Sequence, residues 1–130
     1  NRPAEAIDNF RHAINSDKRY AAAYSNFGAA LHALGKFEDA EIVYKKSLAI
    51  RPNHPMTLSN LGLTQKKLAK VGEAEDSFTK AIDLQPDYAE AHANLGDLYL
   101  SLGRHRKALQ EKSKGGGIIL FDCAVGWHLL

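Results

Sequence analysis

With 130 residues, 45% of them apolar, the chain has room for one domain with a modest continuous core and not for a large single globule. Its 17 Lys and Arg against 15 Asp and Glu leave a formal charge of +2, and the charges are interspersed, which excludes the basic stripe of a nucleic-acid-binding surface. Cys123 is the single cysteine, which excludes an internal disulfide framework and a cysteine-based zinc cluster, and there is no run of about 20 apolar residues to span a bilayer.

Residues 1–20 read as the second half of a truncated unit. Pro3 is tolerated in a first helical turn, and Ala6, Phe10 and Ala13 follow at spacings that share one helix face. From Tyr20 to Leu34, Tyr24, Phe27, Leu31 and Leu34 keep a helical spacing, and Gly35 suits a left-handed helix end. Phe37 to Ile50 reads as a partner helix, with Ala40 small where two helices approach and Tyr44 filling the gap beside it. Pro52 then stops continuation, because it lacks a donor and clashes one turn back. Gly28 is expected at a similar close approach. These elements make a first unit over residues 21–54.

The second unit, residues 55–88, pairs a helix from Pro55 to Leu68 with one from Gly72 to Leu84. Ala69 stands where a turn glycine is expected, so either the first helix runs longer or the turn shifts to Gly72. Asp87 followed by Glu90 resembles a helix start, in which Asp accepts from the first free amides and Glu reaches back. Tyr88 to Leu102, closed by Gly103, is then the first helix of a partial third unit over residues 89–114. Beyond Leu109 the pattern fails, with Lys112 at the aromatic position and Gly115 at the small one.

Residues 115–130, three glycines and then IILFDCAVGWHLL, form an atypical Gly-rich and apolar tail. One reading folds Ile118, Leu120, Phe121 and Trp127 back as a cap on the last unit. The other, favoured by the triple glycine and the abrupt change in composition, is a non-native tail from altered splicing or a shifted reading frame.

The units are copies of one another. Gly28, Gly62 and Gly96 lie 34 residues apart, as do Asn26, Asn60 and Asn94; Ala6, Ala40, Ala74 and Ala108; and Pro52 and Pro86. Self-similarity at this period means stacked helical pairs, since one short pair cannot bury its apolar face alone. Tyr24, Phe27, Gly28, Leu31, Ala40, Tyr44 and Pro52, then Leu58, Leu61, Gly62, Ala74, Phe78, Ala81 and Pro86, then His92, Leu95, Gly96, Tyr99, Gly103 and Ala108 carry a pattern that resembles the tetratricopeptide repeat family. The resemblance covers roughly Pro3 to Leu109. It implies an all-α fold, a right-handed superhelical solenoid of antiparallel helix pairs, whose first helices line a concave face.

No catalytic motif, phosphate loop or metal-binding pattern is present, so neither catalysis by this chain alone nor a cofactor is expected. His92 occupies a packing position, and Lys45, Lys46, Lys66, Lys67 and Lys70 beside Glu38, Asp39, Glu41, Glu73 and Glu75 read as a solvated mixed-charge surface. The functional signal is the asparagine ladder, Asn26, Asn60 and Asn94, which the resemblance places along the groove, as in the repeats of O-GlcNAc transferase. Asn offers one acceptor and two donors, which suits the main chain of an extended peptide. Ala29, Leu63 and Asp97, with His32 and Lys66, lie one or two turns on and differ between copies, a basis for side-chain selectivity. Ala22, Met56 and Glu90 occupy inner positions where the chaperone-tail class of these repeats carries basic residues, which disfavours that class.

The expected role is a module that binds an extended protein or peptide segment, with no nucleic-acid partner. The chain starts inside a repeat at Asn1 and is expected to be a fragment. Its alternative role is therefore substrate recruitment within a larger glycosyltransferase of O-GlcNAc or membrane O-mannosyl type, the latter implying membrane spans in the parent and the endoplasmic reticulum in place of a default cytoplasmic location. A self-associating spacer is the third reading.

Overall fold

A computed structural model describes residues 5–9, 20–104, 107, 110–111, 114, 119–122 and 126–129. Residues 5–9 are helical. Five helices follow: α1 (Ala21–Ala33), α2 (Phe37–Ile50), α3 (Pro55–Lys67), α4 (Val71–Leu84) and α5 (Ala89–Ser101). Residues 107, 110, 111 and 114 are again helical. The expected all-helical repeat array is present. The remaining element among the described residues is an antiparallel pair, β1 (Ile119–Asp122) with β2 (Gly126–Leu129), in the register Ile119↔Leu129 to Asp122↔Gly126. Neither sequence reading of the tail anticipated this hairpin, and Ile118 lies outside the described residues.

Helix ends follow local chemistry. Arg51 and Gln85, each preceding a proline, are extended at φ −133° and −141°, because the proline ring disfavours the helical region for the residue before it. Pro55 opens α3 in its first turn, where the missing N–H costs nothing. The three inner helices end alike: the N–H groups of Lys36, Lys70 and Arg104 reach back to the carbonyls of Leu31, Gln65 and Tyr99 at 2.9, 2.9 and 2.8 Å. This closure needs a left-handed residue, supplied by Gly35 at φ 78°, Ala69 at φ 61° and Gly103 at φ 75°. The helix therefore does not run on and the turn does not shift to Gly72. Ala69 adopts the strained conformation itself, because the closing bond fixes the turn whatever residue fills it.

Two other expectations change. The residue capping α5 is Tyr88, which makes no side-chain cap bond; the turn closed by Tyr88 N–H on Gln85 O, at 3.0 Å, leaves Asp87 one position too early. Of the second-helix face expected near the N-terminus, Ala6 is half-buried and packs against the core, and the neighbouring Ile7, not anticipated, is buried with it. Phe10 and Ala13 lie outside the described residues.

Within each pair the separation is set by glycine against an aromatic ring. A Cβ on Gly28 would sit 2.7 Å from the Tyr44 ring, and one on Gly62 would sit 2.6 Å from the Phe78 ring. Ala40, Ala74, Ala81 and Ala91 are fully buried at the helix contacts. Residues from adjacent pairs share clusters: Leu61 of α3 joins Tyr24, Leu31 and Tyr44, and Leu95, Leu98 and Tyr99 of α5 join Ala74 and Phe78. First helices touch one another, α1 with α3 and α3 with α5, while α2 packs between α1 and α3 and α4 between α3 and α5. The first helices thus form a continuous inner row, with the second helices outside it.

Gly62→Ala is expected to cost about 1–3 kcal/mol, since Phe78 has no room to yield, whereas Gly72→Ala, with nothing near the new methyl, leaves stability unchanged or higher. Ala69→Gly relieves a left-handed alanine at the expense of chain entropy and should gain about 0.5–1 kcal/mol net. Urea unfolding of the three variants, read at constant slope, checks both signs.

Candidate functional site

The inner row presents α1 and α3 side by side. Ala22, Asn26, Ala29 and His32 recur at one-turn intervals along α1, and Met56, Asn60 and Leu63 do so along α3. Two cavities open on this seam. One, of about 140 Å³, is lined by Ala29, His32, Asn60 and Leu63 over the Tyr44 ring. The other, of about 150 Å³, lies toward the N-terminal ends of both helices and includes Ala22, Asn26, Arg51, His54, Met56 and Thr57. Four of the residues expected to line a groove therefore surround one cavity, and Asn26 lines its neighbour. Asn94, Lys66 and Asp97 line neither; Lys66 is half-buried and Asp97 is exposed.

The three in-phase asparagines are not equivalent. Asn94 Nδ2 donates to Ser59 Oγ of the preceding first helix at 3.1 Å. The side chains of exposed Asn26 and half-buried Asn60 make no hydrogen bond among the described residues. Asn60 thus keeps its acceptor and both donors at the mouth of a cavity.

His32 is held in one state by its partner. Thr64 Oγ1 donates to Asn60 O at 3.1 Å, so its single proton is spent and it accepts from His32 Nδ1–H at 2.9 Å. Nε2 is then the acceptor of the ring. The ring edge also rests on Phe37, with centroids 5.0 Å apart. Burial, with the Lys67 charge added, lowers the His32 pKa, so the imidazole is neutral at neutral pH.

The expected solvated charge surface is not uniform. Glu41 is buried, and accepts from Lys70 Nζ at 2.7 Å and from Gln65 Nε2 at 3.3 Å, with Lys45 at 3.5 Å. Ser77 Oγ donates to Gln65 Oε1 at 2.6 Å, extending the chain of bonds across α2, α3 and α4. Burial pushes the Glu41 carboxyl up, but the bonds from Lys70 and Gln65 and the two lysine charges outweigh it and hold it below the usual carboxylate range. His92 is buried as expected of a packing residue, but it packs as a polar group: Nε2 donates to Pro86 O at 2.7 Å and Nδ1 meets Glu111 Oε2 at 2.8 Å.

Thr64, Arg51 and His54 were not among the expected groove residues. The first-helix bonds His32–Thr64 and Ser25–Thr57 join residues 32 apart, and Asn94–Ser59 joins residues 35 apart, so aligning copies at 34 does not pair them. Arg51 carried one signal: its counterpart before Pro86 is the neutral Gln85. Among the described residues no group of three His, Cys, Asp or Glu is placed to hold a metal ion, and no helix is long and apolar enough to cross a membrane.

A family model described as tetratricopeptide repeat matches residues 19–87, and a second of the same description matches residues 77–110. No curated protein matches the chain. The crystal structure of MamA is similar with a TM-score of 0.81 at 21% identity, covering 87% of this chain and 66% of that one. MamA from residue 41 to its end, from Desulfovibrio magneticus RS-1, gives 0.82 at 21%, covering 88% and 64%. TTC0263, a thermophilic TPR protein in Thermus thermophilus, gives 0.77 at 28%, covering 84% and 61%. The chain spans about two thirds or less of the length of these structures, and at 21% identity the likeness to MamA is one of fold alone.

Because the folded Glu41 carboxyl titrates below its unfolded value, its contribution is present above the unfolded pKa and is lost as pH falls through the folded one. Glu41→Gln is expected to lower the melting temperature at pH 7 and to flatten the loss of stability below about pH 4.5. Thermal melts from pH 7 to pH 3 check this; parallel curves for parent and variant would remove Glu41 from the account.

Proposed function

The chain belongs to the tetratricopeptide repeat family, a protein-interaction module, and on that premise we propose that its inner row binds an extended peptide segment of another protein, held by its main chain. The observation that carries this reading is Asn60. Its amide has a full set of donors and acceptor and no internal partner among the described residues, at a cavity where neutral His32 adds an acceptor and Ala29 and Leu63 add apolar walls. An extended peptide needs both kinds of group, because its N–H and C=O alternate along the chain.

Selectivity falls to the side chains that differ between copies. Ala29 and Leu63 shape the cavity, and Lys66 and Asp97 place opposite charges beyond it. Asn26 extends the main-chain contacts toward the second cavity. Asn94 contributes by orienting α5 on α3 through Ser59, and so sets the curvature of the groove from within.

Replacing Asn60 by Ala is expected to weaken a peptide selected from a library by up to about tenfold, as one net hydrogen bond of about 0.5–1.5 kcal/mol implies. Asn26→Ala with Asn60→Ala should weaken it further and by similar factors for peptides of different sequence. Asn94→Ala should instead cost about 1 kcal/mol of stability. Fluorescence anisotropy with labelled peptides, alongside circular dichroism, separates the two effects. A double variant at Asn26 and Asn60 that binds as tightly as the parent moves the ligand surface away from the inner row.

A further inference from the structure

The cavity at the N-terminal end of the α1–α3 seam differs from its neighbour in charge. Arg51 lines it, and a guanidinium is charged at every accessible pH and strongly favours a planar carboxylate. Elsewhere Lys45 and Lys70 pair with Glu41 and Arg104 pairs with Glu75, while several surface lysines, like Arg51, have no ion pair among the described residues; what sets Arg51 apart is its place in the wall of a cavity. No Asp or Glu among the described residues lines that cavity.

The remaining walls suit an anion of side-chain size. Asn26 brings two N–H donors. His54 is fixed by Nδ1 to Thr57 Oγ1 at 2.6 Å, and Thr57 is tied in turn to Ser25 Oγ at 3.0 Å, so the polar rim is set before any ligand arrives. Burial, and then the charge of Arg51 in the same wall, lowers the His54 pKa. The corresponding place one unit on has Gln85 in place of Arg51, Glu90 in place of Met56 and the buried Ala91 in place of Thr57, so the feature is not repeated at the next junction.

We propose that this cavity receives the side-chain carboxylate of an Asp or Glu within the bound peptide, paired with Arg51 and hydrogen-bonded by Asn26. The proposal rests on the peptide-binding reading above and narrows its ligand to an acidic segment.

The test uses an array of N-acetylated, C-amidated octapeptides, degenerate except for one position fixed in turn as Asp, Glu, Asn or Gln, probed with the full chain. Amidation removes the terminal carboxylate as a source of the anion. The parent is expected to favour Asp or Glu over Asn or Gln at one position by about tenfold or more, less at high salt. Arg51→Gln should reduce this preference to parity by weakening the Asp and Glu peptides while the Asn and Gln peptides bind as they do to the parent, and Arg51→Lys should keep part of the preference. Lys45→Gln should leave it intact. Circular dichroism of each variant should match the parent. Binding without an acid preference, or a preference that survives Arg51→Gln, overturns this proposal alone; an array that captures nothing overturns the peptide-binding reading and this one with it.

Discussion

The contact between a glycine backbone and an aromatic ring fixes how closely the helices of each pair approach, and the rest of the array follows from that distance. With Tyr44 over Gly28 and Phe78 over Gly62 there is no space for even a methyl group. The rings are buried, so the contact brings both dispersion attraction and removal of a large apolar area from water. Since each pair is pinned at this separation, its outer faces are set at a fixed offset, and the next pair meets a surface of defined shape. Stability in such an array is the sum of units and of contacts between neighbours.

Between neighbours, polar bonds fix what apolar packing alone leaves loose. Ser25 with Thr57, His32 with Thr64 and Asn94 with Ser59 join successive first helices, while Glu41, Gln65, Lys70 and Ser77 join the first pair to the second. No buried side-chain nitrogen or oxygen among the described residues lacks a partner. An apolar seam between two helices tolerates sliding at little cost, whereas a displaced network leaves several buried groups unsatisfied at once. The network therefore sets the register of the inner row, and with it the line of side chains along the seam.

That line joins two cavities of similar size and different character. At one end a neutral histidine and an amide with no hydrogen bond among the described residues sit over apolar walls; at the other a guanidinium with no acidic partner among those residues stands beside a second amide. A family built for protein contact gives the scaffold, and these few side chains give this chain its own chemistry. The two histidines take part in opposite ways: His32 contributes an acceptor to the groove, and His54 braces the wall behind Arg51.

The sequence by itself determined the repeat, its period, the helix pairs and the small residues at their contacts. Each of those is a local or in-phase requirement: a glycine needed against a ring, a proline ending a helix, an apolar face at helical spacing. Gly28, Ala40, Tyr44 and Pro52 were legible for that reason, whereas the expectation that Ala29, His32, Asn60 and Leu63 share an inner face came from the family resemblance. The left-handed Ala69, the burial of Glu41, the engagement of Asn94 and the cavity beside Arg51 were not legible. Most of these depend on contacts between successive units at offsets of 24 to 35 residues, set by how far each side chain reaches across the seam and not by the period of 34. Residues identical in sequence phase, such as Asn60 and Asn94, thus acquire different partners, because only the packed neighbours decide which polar group lies within a hydrogen bond's reach.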